Sequence, residues 1–96
     1  MKIKFSKLAK NDFDASVLYY KKESENLASR FKNDIKQSVN RIETFPKLYP
    51  KIDTQIQKCV VSKFPFTIYY TIKDDTIYIL AIASHYRDLD QYLKRF

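Results

Sequence analysis

Apolar residues recur along this chain with two periods, and the places where the period changes divide it into elements. In KIKF, Ile3 and Phe5 face one way and Lys2 and Lys4 the other, the alternation of a short half-exposed strand. Ser6 then stands where a helix N-cap is expected. Ala9, Phe13, Val17 and Tyr20 follow at helical spacing. Asp12 and Asp14 near the start of this helix, and Lys21 and Lys22 at its end, are read as complements to the helix dipole. Ser24 reads as a second N-cap. Leu27, Phe31, Ile35, Val39 and Ile42 form an i, i+4 stripe that ends before Pro46. Two amphipathic helices with almost no loop between them are expected to pack as an antiparallel hairpin.

The period then shortens. FPKLYPKIDTQ is a loop marked by two prolines, and QKCVVSK is expected to be a strand. Pro65 lacks a donor and belongs at a strand boundary or bulge. In FTIYYTI, Phe66, Ile68, Tyr70 and Ile72 alternate with Thr67, Tyr69 and Thr71. KDDT is a turn in which Asp takes the place of glycine. TIYILAIAS is apolar on both faces, which predicts a central strand. A short helix is expected from about Asp88. The fold class is α+β, in the order β-α-α-β-β-β, with a helical hairpin on one face of a small, mainly antiparallel sheet. The second sheet face has no helix to cover it. Thr67, Tyr69 and Thr71 should line it as an open binding surface.

Composition narrows the function. Ninety-six residues predict a single domain, with roughly two-thirds of the unfolded surface buried. There is no glycine, which argues against tight positive-φ turns and excludes Gly-rich phosphate loops. One cysteine and one histidine fall short of a zinc site, so no metal or cofactor is expected. Cys59 reads as a small buried hydrophobe. The N-terminal MKIKFSKLAK has no apolar signal core and no long apolar run occurs. The expectation is a soluble cytoplasmic protein that does not meet a membrane.

Lys and Arg number 18 against 11 Asp and Glu, a net charge of +7. The excess lies in residues 1–10 and 30–63. Such a surface suits nucleic acid, a ribosome or an acidic protein, although the 14 lysines against 4 arginines equally describe a solvated Lys-rich surface.

Candidate chemistry gathers in AIASHYRDLDQYLKRF. There His85, the only histidine, is followed by Arg87, Tyr92, Lys94 and Arg95. His85 suits an acid/base role or a hydrogen-bonded strand end. Arg87 suits a functional cation or a structural partner for Asp88 or Asp90. Tyr92 suits an anchor for the last segment. Lys58 and Lys63 would meet a polyanion on the open face, and Tyr69 could stack on a base.

Phe64, Pro65, Phe66, Tyr70, Ala81, His85, Arg87, Asp88, Tyr92 and Arg95 match, in order, the motifs of one family. With two helices and a short first strand before them, the chain resembles the RelE/ParE superfamily of bacterial type II toxins. It departs from the pattern where Tyr86 alone separates His85 from Arg87, and where Leu89 replaces the usual Pro. The resemblance implies a toxin held inactive by a cognate antitoxin from an adjacent gene. The antitoxin's C-terminal segment wraps the toxin, and its N-terminal part contacts operator DNA.

The superfamily divides by target. RelE-like members cleave mRNA on the ribosome, and ParE-like members poison DNA gyrase without nuclease chemistry. Metal-free RNA cleavage needs a group to take the 2′-OH proton, cations for the phosphorane and an acid for the leaving oxygen. By resemblance, Arg87, Tyr92, Lys58 and His85 would share these duties. Lys58, Lys63, Thr67, Tyr69, Arg87 and Arg95 would contact a partner or nucleic acid. Two expected strand cations are missing, because Val60 and Thr67 occupy their positions. The ParE-like branch is therefore favoured. The alternatives are a RelE-like endoribonuclease and an inactive homologue that retains antitoxin binding.

Overall fold

The computed structural model describes residues 1–86. The expected C-terminal helix, and Arg87, Tyr92 and Arg95 with it, lie outside the described residues. The elements are β1 (Lys2–Phe5), α1 (Lys7–Glu23), α2 (Glu25–Thr44), β2 (Ile56–Val60), β3 (Phe66–Lys73) and β4 (Thr76–Ser84). This is the expected order. No helix among the described residues is long and apolar enough to cross a membrane.

Both helices start where serine caps them. Ser6 Oγ accepts the Ala9 N–H at 3.0 Å, and Ser24 Oγ accepts the Leu27 N–H at 2.9 Å. Ser24 also closes α1, donating its N–H to Tyr20 O. A single extended residue thus ends one helix and begins the next, which folds the hairpin back on itself. Phe31 is fully buried at its centre. Its ring lies 5.9 Å from Phe13, 5.2 Å from Tyr20, 5.4 Å from Phe64 and 4.9 Å from Phe66, centroid to centroid. These contacts join both helices to the sheet. Truncating such a side chain costs about 3–5 kcal/mol.

The sheet runs β1-β4-β3-β2, so β4 is central, as its apolar faces require. β3 pairs antiparallel with β2 and β4, whereas β1 pairs parallel to β4, Ile3 opposite Ile77 and Phe5 opposite Ile79. Between Tyr69 and Tyr70 the β3–β4 register slips, leaving Leu80 as the extra residue of a bulge. Ser6 uses it, donating its hydroxyl to Leu80 O at 2.8 Å. Phe66, Ile68 and Tyr70 face the helices with Ile77, Ile79 and Ile82, as the alternation predicts. Cys59 is fully buried on the same face, and burial pushes its thiol pKa up.

Four readings of the sequence need correction. Lack of glycine does not prevent a positive-φ turn, because Asp74 and Asp75 adopt φ of 52° and 61° between β3 and β4. A two-residue hairpin loop favours this left-handed pair, and Asp tolerates it. Asp12 does not serve the helix dipole. The first turn of α1 contains no acid, and Asp12 is buried against β4. The expected strand QKCVVSK stops at Val60: Val61 N–H turns to Phe66 O at 3.0 Å, and Asp34 of α2 holds the residues that follow. Its carboxylate accepts Ser62 Oγ–H, Lys63 N–H and Phe64 N–H, each at 2.9 Å. Lys63 therefore lies in a corner, off the sheet. Finally, the second sheet face is not open where it was expected to be. Thr67 is 6% and Tyr69 3% exposed, with Tyr69 packed beside Ala81, Ala83, Leu8, Ile52 and Ile56.

Candidate functional site

The sheet face away from the helices carries the sequence-derived candidates. Lys58 of β2 stands opposite Tyr69, and Tyr69 opposite Ala81. One row further, Val60 stands opposite Thr67, and Thr67 opposite Ala83. His85 follows the end of β4. Its N–H donates to Pro65 O at 2.8 Å, and its Nε2 lies 2.9 Å from Thr67 Oγ1. Lys58, Val60 and His85 are exposed along this face, while Thr67 and Tyr69 are buried between them. Burial raises the Tyr69 phenol pKa, so the phenol stays neutral across the physiological range.

The histidine is therefore placed by two strands and a proline. Pro65 cannot donate, but its carbonyl accepts the His85 N–H just where β3 begins. The corner before it is held by Asp34. Lys58 and His85 share the face, and Lys63 lies in the corner before β3, off the sheet.

Of three buried polar residues that sit on apolar stripes, Asp34 and Gln57 carry no expectation from the sequence, and Asp12 carries only that of a dipole complement. Asp12 lies between Ala9 and Phe13, Asp34 between Phe31 and Ile35, and Gln57 two residues from Cys59. A polar residue on a buried face has to find partners. Asp12 takes the Ile82 N–H at 3.1 Å. Gln57 Nε2 donates to Pro46 O at 2.8 Å, Tyr49 O at 3.0 Å and Tyr70 Oη at 3.2 Å. The Tyr70 hydroxyl donates in turn to Pro46 O at 2.6 Å.

A second concavity lies on the other side of the molecule, where β1 meets the helical hairpin. Phe5, Ala9, Phe13, Ile35 and Val39 form the apolar lining of a groove of about 530 Å³. Lys10, Lys32 and Lys36 line its rim, with Asp14 the one carboxylate among the lining residues. It touches β1 at Phe5, the last residue of that strand, which pairs with β4 on one edge and has no strand partner on the other among the described residues.

A helical hairpin on one face of a four-stranded mixed sheet, with a histidine just past the exit of an interior strand, defines an α+β protein of the order β-α-α-β-β-β. Residues 3–89 match the family model described as the ParE toxin of the type II toxin–antitoxin system parDE, and the chain belongs to that family. Among solved structures, it is similar to a chain of the chromosomal ParDE toxin–antitoxin system from P. aeruginosa. The two share 22% identity over 88% of this chain and 95% of that one, with a TM-score of 0.78, a likeness of fold. No curated protein matches the chain.

Proposed function

We propose that this protein is the toxin of a two-component module, neutralised by a protein antitoxin, and that it acts by binding DNA gyrase in the cytoplasm. The observation that carries the first part is the groove between β1 and the hairpin. Its apolar lining offers anchor sites to one face of an amphipathic segment, and its lysine rim favours an acidic one. An antitoxin tail of that chemistry fits it. Operator DNA then comes under the module's control through the antitoxin.

The second part is supported by membership of the ParE family and by the row Val60–Thr67. A ribonuclease needs cations there for the phosphorane, whereas this row offers an exposed valine and a buried hydroxyl bonded to His85. Expressed in a bacterial cell without antitoxin, the chain is expected to arrest growth, cause gyrase-dependent DNA breaks and induce the SOS response, with mRNA left intact. Codon-phased cuts in ribosome-bound mRNA would instead select the endoribonuclease reading, for which Lys58 and His85 share an exposed face. Normal growth would select the inactive, antitoxin-binding homologue.

A further inference from the structure

A second cleft, unconnected with the antitoxin groove, opens beside the far end of the sheet from His85. It has a volume of about 770 Å³. Lys47 and Lys51 from the loop after α2 line it together with Lys73, the last residue of β3. Thr54, Thr71 and Ile72 complete the part of the lining that concerns its chemistry.

This loop is held in place. Gln57 and Tyr70 fasten the carbonyls of Pro46 and Tyr49 from inside. Lys58 N–H donates to Pro50 O at 2.9 Å, and Lys51 forms a bridge with Gln57. Asp53 Oδ1 accepts the N–H groups of Gln55 and Ile56, and Thr71 Oγ1 donates to Gln55 O at 2.7 Å. The three ammonium groups thus project from a backbone that is already ordered, so less entropy is lost when a ligand binds.

Charge and polarity specify the ligand. No carboxylate lines the cleft. The nearest acids in sequence are Asp53, whose Oδ1 is engaged by the loop, and Asp74 in the hairpin turn. Among the described residues the ion pair formed is Lys21–Glu25, so none of the three cleft lysines is paired with a described carboxylate. Ile72 is the one hydrophobic side chain in the lining. A peptide needs apolar pockets for its anchors, and here Ile72 alone would supply one, whereas five hydrophobic residues line the groove beside Phe5. A phosphodiester backbone needs only cations and neutral donors.

We propose that Lys47, Lys51 and Lys73 form a sequence-independent binding site for the phosphate backbone of a nucleic acid. The inference does not rest on gyrase being the target. It is tested by fluorescence anisotropy of the purified chain with a labelled 20-base-pair DNA duplex and a labelled single-stranded RNA of equal length, titrated at several salt concentrations. The two probes separate DNA from RNA as the source of the phosphates.

Replacing the three lysines together (Lys47→Ala, Lys51→Ala, Lys73→Ala) should weaken binding at least tenfold at low salt. It should also lower the slope of log affinity against log salt for the duplex by about 2.7, at about 0.9 per phosphate contact. The corresponding Lys→Arg triple should bind as the parent does. A control removes the same charge from the antitoxin groove (Lys10→Ala, Lys32→Ala, Lys36→Ala) and should leave the slope nearly unchanged. The proposal is overturned if the control loses as much slope as the cleft triple, because net charge alone would then explain binding. It is equally overturned if neither probe binds, or if poly-glutamate binds the cleft as tightly as the nucleic acids. All three lysines are exposed, and unchanged circular dichroism melts will show that each variant is folded. If the triple does not fold, Lys73→Gln alone should lower the slope by about 0.9.

Discussion

The carboxylate of Asp12 on α1 accepts the N–H of Ile82 on β4 at 3.1 Å, across 70 residues of sequence. The reason lies in the length of β1. That strand pairs with β4 only as far as Ile79, so the donors of β4 beyond the bulge would face α1 unpaired. A buried N–H without a partner is costly. Asp12 supplies the acceptor that a longer β1 would have supplied. Asp12→Ala should therefore lower stability by about 2 kcal/mol, the cost of leaving a buried donor unsatisfied. Urea unfolding measures this, and an unshifted midpoint would show that the bond contributes nothing.

Asp34 has a larger effect, because one carboxylate organises a whole corner. Asp34→Ala should cost about 3 kcal/mol by leaving its three donors without their acceptor. It should also loosen the placement of Pro65 and hence of His85. Amide hydrogen exchange would show Lys63, Phe64 and His85 losing protection while the middle of α2 keeps it. Loss of protection throughout the chain would mean that Asp34 acts only globally.

The buried phenols give the fold an alkaline limit. Burial raises the pKa of Tyr20, Tyr69 and Tyr70, and most strongly that of Tyr70. The folded state holds these protons more tightly than the unfolded chain, whose phenols titrate near about pH 10. Their stabilising contribution is complete below that value and declines as pH rises through it toward the folded pKa values. Denaturation midpoints should fall steeply above about pH 10. Tyr70→Phe should be less stable at neutral pH, having lost its bond to Pro46 O, yet decline less steeply in alkali. A parallel decline of both proteins would remove Tyr70 as the source.

The groove beside β1 predicts how partner binding responds to charge. Lys10→Glu combined with Lys36→Glu should weaken the complex with the antitoxin proposed above by at least tenfold. The salt sensitivity of the complex should fall as well. Val39→Asp, which places a charge on the apolar lining, should weaken it without lowering the salt sensitivity. Isothermal titration at two salt concentrations separates the two effects. Parental affinity in all of these variants would place the antitoxin elsewhere.

Local signals in the sequence carry most of the fold. Ser6 and Ser24 cap as their positions imply, because a cap is decided within three residues. The stripe from Phe31 to Ile42 and the alternation from Phe66 to Ile72 each determine which face is buried. Features decided by distant partners are not written locally. Nothing in KIKF says that it pairs parallel to β4, and nothing near Asp12 names Ile82. The alternation puts Thr67 and Tyr69 on the correct face, but an absence of helices there is not an absence of cover. For the site, the sequence located His85 at a strand exit. Its hydroxyl partner Thr67 stands 18 residues away, within reach only because β3 and β4 are neighbours.

The pairing of β1 with β4 also bears on how the chain is born. β1, which leaves the ribosome before the rest of this sheet, has no strand to pair with until residues 76–79 have emerged. The hydroxyl of Ser6 and the carboxylate of Asp12 wait for the same strand. The helical hairpin can assemble early from contacts near in sequence, but the seam that ties it to the sheet closes only late in synthesis. A truncated product of an interrupted message would therefore keep its helices and lack the sheet that carries Lys58, His85 and the lysine cleft.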